Sequence, residues 1–264
     1  MIITADLIEA YLKCPTKCFL LSRDEVETGN AYAEWARVKS ASFCREGIGR
    51  LVAGAAPNKC VMSASATENP QWQLAIDFKA RSQNLQCSCQ ALERIPSSER
   101  ERAARFIPIR FVFRNNVARD DKLLITFNAL VLSERLGRTI DYGKVLYGDN
   151  YASLRVKISA FADDVRRLVE KVGGLLARST PPDLVLNRHC TECQFQTRCR
   201  QKAVDRDDLS LLRNMTEKER AEFNSKGIFT VTQLSYTFRP RHRPKALRDK
   251  REKGRRLPNS LRTS

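Results

Sequence analysis

Three cysteines crowd the segment His189-Cys190-Thr191-Glu192-Cys193-Gln194-Phe195-Gln196-Thr197-Arg198-Cys199. Two residues separate the first pair, and five separate the second and third. No other stretch limits the fold as strongly. Three thiols in one short loop are poised to hold a metal, and an all-thiolate site closes with a fourth. The best candidate for the fourth is Cys14, in Tyr11-Leu12-Lys13-Cys14-Pro15-Thr16-Lys17-Cys18. Cys18 is its rival, and His189 could serve a zinc site instead. With Cys14 as a ligand, one metal centre ties together the two ends of a domain of about 200 residues.

Four thiolates suit either Zn²⁺ or an iron–sulfur cluster. Zinc sites usually draw their ligands in close pairs. Here one pair is followed by a third cysteine, with no second pair nearby. A single distant partner therefore favours a [4Fe–4S] cluster, with zinc as the alternative. Cys44, Cys60, Cys87 and Cys89 read as ordinary core or partly exposed thiols. The opening Met1-Ile2-Ile3-Thr4-Ala5-Asp6 lacks the basic start and long apolar run of a secretory signal. No apolar stretch reaches membrane-spanning length. The chain thus reads as cytoplasmic, without a membrane partner, in a compartment where clustered cysteines more often bind metal than pair.

The formal net charge of +17 over 264 residues points to a polyanionic partner such as nucleic acid. The charge is uneven. Residues 238–264 hold eleven Lys or Arg against two acids, a net +9. The rest of the chain is diffusely basic. At 42% hydrophobic residues, it has enough apolar content to bury a core.

Periodicity gives the elements. A helix is expected over 3–22, interrupted by Pro15 next to Cys14, and a second over 31–52. Trp72, Leu74, Ile76 and Phe78 alternate with polar or small residues, which predicts a half-buried strand. Ser82-Gln83-Asn84 reads as a turn, and Leu85, Cys87, Cys89 and Ala91 as the returning strand. Residues 97–104 form a polar loop or short helix. The run 106–113 is strand-like, with Pro108 suggesting an edge position or an irregular start. A helix follows over 120–137, closed by Gly137, then short strands at 144–148 and 154–158 and an amphipathic helix over 162–177. Beyond Asp207 the character changes. Leu209 to Met215 reads as a short helix, and Thr216-Glu217-Lys218-Glu219 as a capping box opening another. Gly227-Ile228 is a tight turn before Thr230 to Leu234, a pattern like a helix-hairpin-helix unit. The basic tail has almost no apolar content and is expected to be disordered alone.

The helix ending at Cys14-Pro15, combined with Cys190-x2-Cys193-x5-Cys199, resembles the RecB-family exonucleases. The resemblance is closest to the branch with the CRISPR-associated exonucleases and AddB-type nuclease domains. Asp208-Leu209-Ser210-Leu211-Leu212 and Gly227 to Leu234 are similar to the RecB-like module ahead of RNase-H-like and superfamily 1 helicase domains. The resemblance covers the chain to about Lys250. It implies a [4Fe–4S] cluster on Cys14, Cys190, Cys193 and Cys199. It also implies an α/β fold of restriction-endonuclease-like, PD-(D/E)XK type: a small mixed sheet flanked by helices, plus a C-terminal helical hairpin. The implied layout is a nuclease-fold domain over 1–204, the hairpin segment over 205–237 and the tail over 238–264, together one module of a longer protein.

Catalysis is where the pattern departs. The family uses an Asp on one strand and a (D/E)xK on the next to hold Mg²⁺ or Mn²⁺ and polarise water. At the matching positions stand Gln90, Arg110 and Val112. The family's QxxxY helix motif falls where Leu124 and Asn128 stand, and Lys39 to Gly49 has no histidine. Asp77-Phe78-Lys79, with Glu93 downstream, has carboxylates and a lysine in the wrong order, and reads as the polar side of a strand. No catalytic residue is therefore assigned. The expectation is a catalytically degenerate DNA-binding module, working with a superfamily 1 helicase in cis or trans. The rival readings are an active Mg²⁺- or Mn²⁺-dependent DNA exonuclease and a zinc-stabilised interaction scaffold.

Overall fold

The computed structural model describes residues 1–25, 27, 29–56, 59–62, 71–96, 104–213 and 215–237. The expectations for a loop at 97–104 and for a disordered tail fall, wholly or nearly so, outside these residues. The chain divides into two compact units, Met1–Ala203 and Val204–Ser264.

The first unit is an α/β structure built on one mixed sheet of seven strands. In chain order these are β1 (Ile3–Thr4), β2 (Cys60–Met62), β3 (Leu74–Ser82), β4 (Leu85–Ile95), β5 (Arg105–Val112), β6 (Tyr142–Tyr147) and β7 (Ala152–Lys157). The sheet order is β2-β3-β4-β5-β6-β7. β3, β4 and β5 form an antiparallel meander, β6 lies parallel to β5, and β7 runs back against β6. β2 adds in parallel to β3, and β1 pairs in parallel with the start of β4.

Helices cover both faces. On one face lies α3 (Ala31–Ala53), whose second half sets Phe43, Cys44, Ile48, Leu51 and Val52 against Leu74, Ala91, Ile109, Phe111 and Leu146. Gly47 sits at the closest approach, where a Cβ would run into ring carbons of Phe111 and Tyr151. On the other face, α1 (Ala5–Lys13), α4 (Arg119–Leu136) and α5 (Ala162–Leu176) close the main core. α4 is apolar around most of its circumference, from Leu123 to Leu132, because it is sandwiched between the sheet and α1 and α5. Gly137 ends it in the left-handed region at φ 61°, as expected of a C-terminal glycine.

The single helix expected over 3–22 is two helices. Ile3–Thr4 is strand, α1 ends at Lys13, and α2 (Pro15–Ser22) starts afresh. Cys14 between them is extended, at φ −168° and ψ 121°. The cause is Pro15, whose ring disfavours the helical region for the residue before it yet suits the first helical position.

The alternation expected along β3 also fails. Ala75 is buried in the main core, as are Phe78 and Ala80, while Leu74 faces α3. The phase shifts by one residue at Asp77, which takes a left-handed backbone at φ 52°. β4 shifts at the facing position: Cys87, Cys89 and Leu92 belong to the main core, and Ala91 to the α3 side. Pro108 lies in a strand with neighbours on both sides, but upstream of Ile109, where the β6 ladder begins. Its missing N–H therefore interrupts nothing on that side.

In the second unit a single 3₁₀ turn, Leu209–Leu211, replaces the helix expected from Leu209 to Met215. Asp208 caps it by accepting from Ser210 N–H at 2.8 Å. α7 (Glu217–Ser225) opens on the reciprocal Thr216–Glu219 cap, and the chain turns away after it at Gly227, φ 78°. α8 (Val231–Thr237) follows, its first N–H groups donating to Asp207. Arg220 on α7 pairs with Asp208 at 2.9 Å.

Candidate metal centre

The break at Cys14 turns its side chain out of the helical register while its carbonyl still accepts from Cys18 N–H at 3.1 Å. Across from it, Asn187 organises the cysteine loop. Its side-chain oxygen accepts from His189 N–H at 2.8 Å, and its backbone N–H points to Cys190 Sγ at 3.2 Å. Its amide donates to the Lys13 carbonyl at 3.1 Å, joining the loop to the end of α1 across 174 positions of sequence. A 3₁₀ turn over Arg188–Glu192 then carries Cys190 and hands on to Cys193. Cys199 lies in the first turn of α6 (Gln196–Asp205). Phe195, fully buried, packs with Leu20, Leu21, Cys193 and Cys199 and pins the loop to α2.

Asn30 supplies a third anchor. Its Oδ1 caps α3 through Tyr32 and Ala33, and its amide donates to Thr191 O, Cys193 O and Gln196 Oε1 at 2.9–3.1 Å. The cysteine loop is thereby fixed between α1, α2 and α3.

Cys14, Cys190, Cys193 and Cys199 line one cavity, floored by Leu184, Val185, Leu186 and Phe195 and flanked by Lys13, Lys17 and His189. No Asp or Glu lines it. Burial pushes the Cys199 thiol up to about 11, and Cys193, Cys14 and Cys190 push in the same direction. Burial also raises Cys190, against the Asn187 N–H that lowers it, with Cys14 and Cys193 adding to the rise. Each thiolate therefore makes its neighbours harder to ionise, while Lys13 and Lys17 lie beside the same cavity. Among the described residues, no group of three or more His, Cys, Asp or Glu that could hold a metal ion is formed. What fits is the donor set: four thiols and no competing carboxylate around one space.

The two alternative ligands have different surroundings. Cys18 belongs to the main core, and its thiol is pushed up to about 12 by burial and then by Cys14. His189 reaches the cavity wall, but its Nε2 accepts from Arg188 Nε at 3.3 Å. Burial, then Arg188 and Lys13, lower its pKa.

The positions expected to carry nuclease chemistry are filled by structural contacts. Gln90 Oε1 accepts from Phe111 N–H at 2.7 Å. Arg110 reaches Glu9 of α1 at 3.1 Å and Asp121 of α4 at 3.5 Å, and Arg114 holds the other oxygen of Asp121 at 2.7 Å. Asp121 also accepts from Ala118 N–H and so caps α4 from within. Burial raises the Glu9 carboxyl, but Arg110 and Lys13 outweigh it and hold it down to about 2. Val112 and Leu124 are buried, and Asn128 donates to Ser88 O at 3.0 Å. Glu93 pairs with Lys144 at 2.7 Å, and Asp77 is exposed. Sequence reasoning passed over Glu9, Asn30, Asp121 and Asn187. Asn187 carried one signal, standing three residues before Cys190 at cap spacing.

Comparison with family models finds no match, and comparison with curated proteins finds none either. Among solved structures, one described as "Crystal structure of SSO0001" is 13% identical, over 76% of this chain and 86% of that one, with a TM-score of 0.40. A likeness this low carries no argument. No helix among the described residues is long and apolar enough to cross a membrane.

Proposed function

We propose that this protein is a RecB-like, nuclease-fold DNA-binding module that holds a [4Fe–4S] cluster on Cys14, Cys190, Cys193 and Cys199. One observation carries the reading: four cysteines from the two ends of the first unit line one cavity free of carboxylates. The all-thiol set, with a lone distant ligand, favours a cluster over zinc. Bound there, the cluster supplies a cross-link between the α1–α2 corner and the cysteine loop, so its binding energy becomes folding energy. The mixed sheet flanked by helices accords with a PD-(D/E)XK core. The Gln90, Arg110, Val112, Leu124 and Asn128 contacts support a site that no longer does metal-dependent hydrolysis. The net charge of +17 supports DNA as the partner, with the module serving a larger DNA-processing protein and a superfamily 1 helicase in cis or trans.

The decisive measurement is the absorption spectrum of protein purified without oxygen. A brown protein with a broad band at about 400 nm is expected, from thiolate-to-iron charge transfer. Cys14→Ala should abolish the band and Cys18→Ala should leave it. A colourless protein with one zinc per chain would overturn the cluster. End-labelled DNA should stay intact with Mn²⁺. Degradation that disappears in Asp77→Ala would restore an active site. DNA affinity should fall steeply as salt rises, since phosphate contacts release counterions.

A further inference from the structure

The first half of α3 stands clear of the sheet, unlike its second half. Here Tyr32 and Trp35 are 51% and 47% exposed, and Val38 is 55% exposed. Single exposed apolar residues are ordinary, but adjoining ones form a patch of the kind that marks interaction sites. The two rings stack on each other, with centroids 5.4 Å apart and planes 22° apart. Helical spacing puts Lys39, also exposed, on the same side: it follows Trp35 by four positions and Tyr32 by seven. The neighbouring positions on that side, Ala36 and Ser42, are small. Glu34 is turned to Arg37, with which it pairs. Asn30, one turn below the rings, ties this end of the helix to Thr191, Cys193 and Gln196.

We infer that Tyr32, Trp35 and Lys39 form a stacking platform for unpaired bases, so that the nucleic acid gripped by this module is single-stranded. The inference rests on the DNA-binding reading and adds to it a surface and a strand state. Flat rings offer every base a π-face, and a nearby ammonium meets the phosphate that follows. A duplex hides its base faces and gains nothing from such rings. The Asn30 anchor ties the start of this helix to the cysteine loop.

The chain has two tryptophans, and Trp72 is only 5% exposed, so added ligand quenches Trp35 selectively in the parent, while affinities of parent and variants are compared by the anisotropy of end-labelled oligomers. The full-length protein is titrated with an oligothymidylate, an abasic oligomer of equal phosphate count and a duplex. Oligothymidylate should quench the fluorescence and bind more tightly than the other two. Tyr32→Ala and Trp35→Ala should each weaken it about tenfold or more, without changing the salt slope. Lys39→Gln should lower that slope by about 0.7. Tyr32→Phe and Trp35→Phe should restore most of the affinity. If the Tyr32→Ala/Trp35→Ala double variant binds oligothymidylate like the parent, the inference fails while the DNA reading stands, and the patch belongs to a protein contact. If the parent binds no nucleic acid at low salt, both fail.

Discussion

Glu9 and Asn30 show how single side chains fix the elements around the cysteine cavity. The Glu9 carboxyl, ordinarily at 4.5, titrates near 2 in the folded chain because Arg110 and Lys13 face it. A depressed carboxylate stabilises the fold fully above its unfolded pKa and loses that contribution as pH falls through the folded value. Urea midpoints measured between pH 5 and pH 2 should therefore drop for the parent chain, and Glu9→Gln should flatten the drop. An unchanged pH profile in the variant would remove Glu9 from the acid response. Asn30 does two jobs with two ends of one amide. Asn30→Asp keeps the cap on α3 but turns a carboxylate toward three oxygens, so it should destabilise by about 1–3 kcal/mol, as Asn30→Ala does. If Asn30→Asp unfolds at the parent's urea concentration, only the cap matters. The cysteine loop was legible in sequence because its thiols lie within ten residues of one another. What the Asn30 amide reaches was not, since a cap residue announces its own helix and nothing beyond it.

At the scale of elements, α3 is two helices in one: a half that packs and a half that projects. Gly47 marks the packed half. Gly47→Ala forces ring shifts in Phe111 and Tyr151 and should cost about 1–3 kcal/mol in chemical denaturation. Gly49, two residues on, meets nothing within 4 Å and is exposed. Gly49→Ala should instead add about 0.5–1 kcal/mol through helix propensity alone. Equal effects from both would mean that α3 does not press on the sheet through Gly47. The element boundaries followed from caps and prolines that act locally, such as Pro15 and Gly137. The phase shift at Asp77 left no trace in the pattern, because a left-handed aspartate inside a strand is set by what packs on each face. Sequence alternation sees neither face.

For the molecule as a whole, the metal proposal and the fold are one question. If the proposed metal is there, stripping it from the purified chain should expose Phe195 and Leu20, raise dye binding and lower the thermal midpoint of the first unit, because the link between the α1–α2 corner and the cysteine loop is lost. A metal-free chain that melts at the same temperature as the loaded one would reduce the centre to an accessory. The basic balance was legible at once and pointed to a polyanion. Which surface meets it was not, because charge totals carry no geometry.

The bond from Asn187 to Lys13 has a consequence for how the chain is born. One wall of the cysteine cavity leaves the ribosome first and the other nearly last within the unit. At about 5–20 residues per second, roughly 9–35 s separate them. Throughout that interval Cys14 waits on an unfinished domain without the three thiols of the later loop. The proposed centre can therefore close only after the cysteine loop has emerged, and until then its first thiol meets whatever oxidants and metals surround the nascent chain.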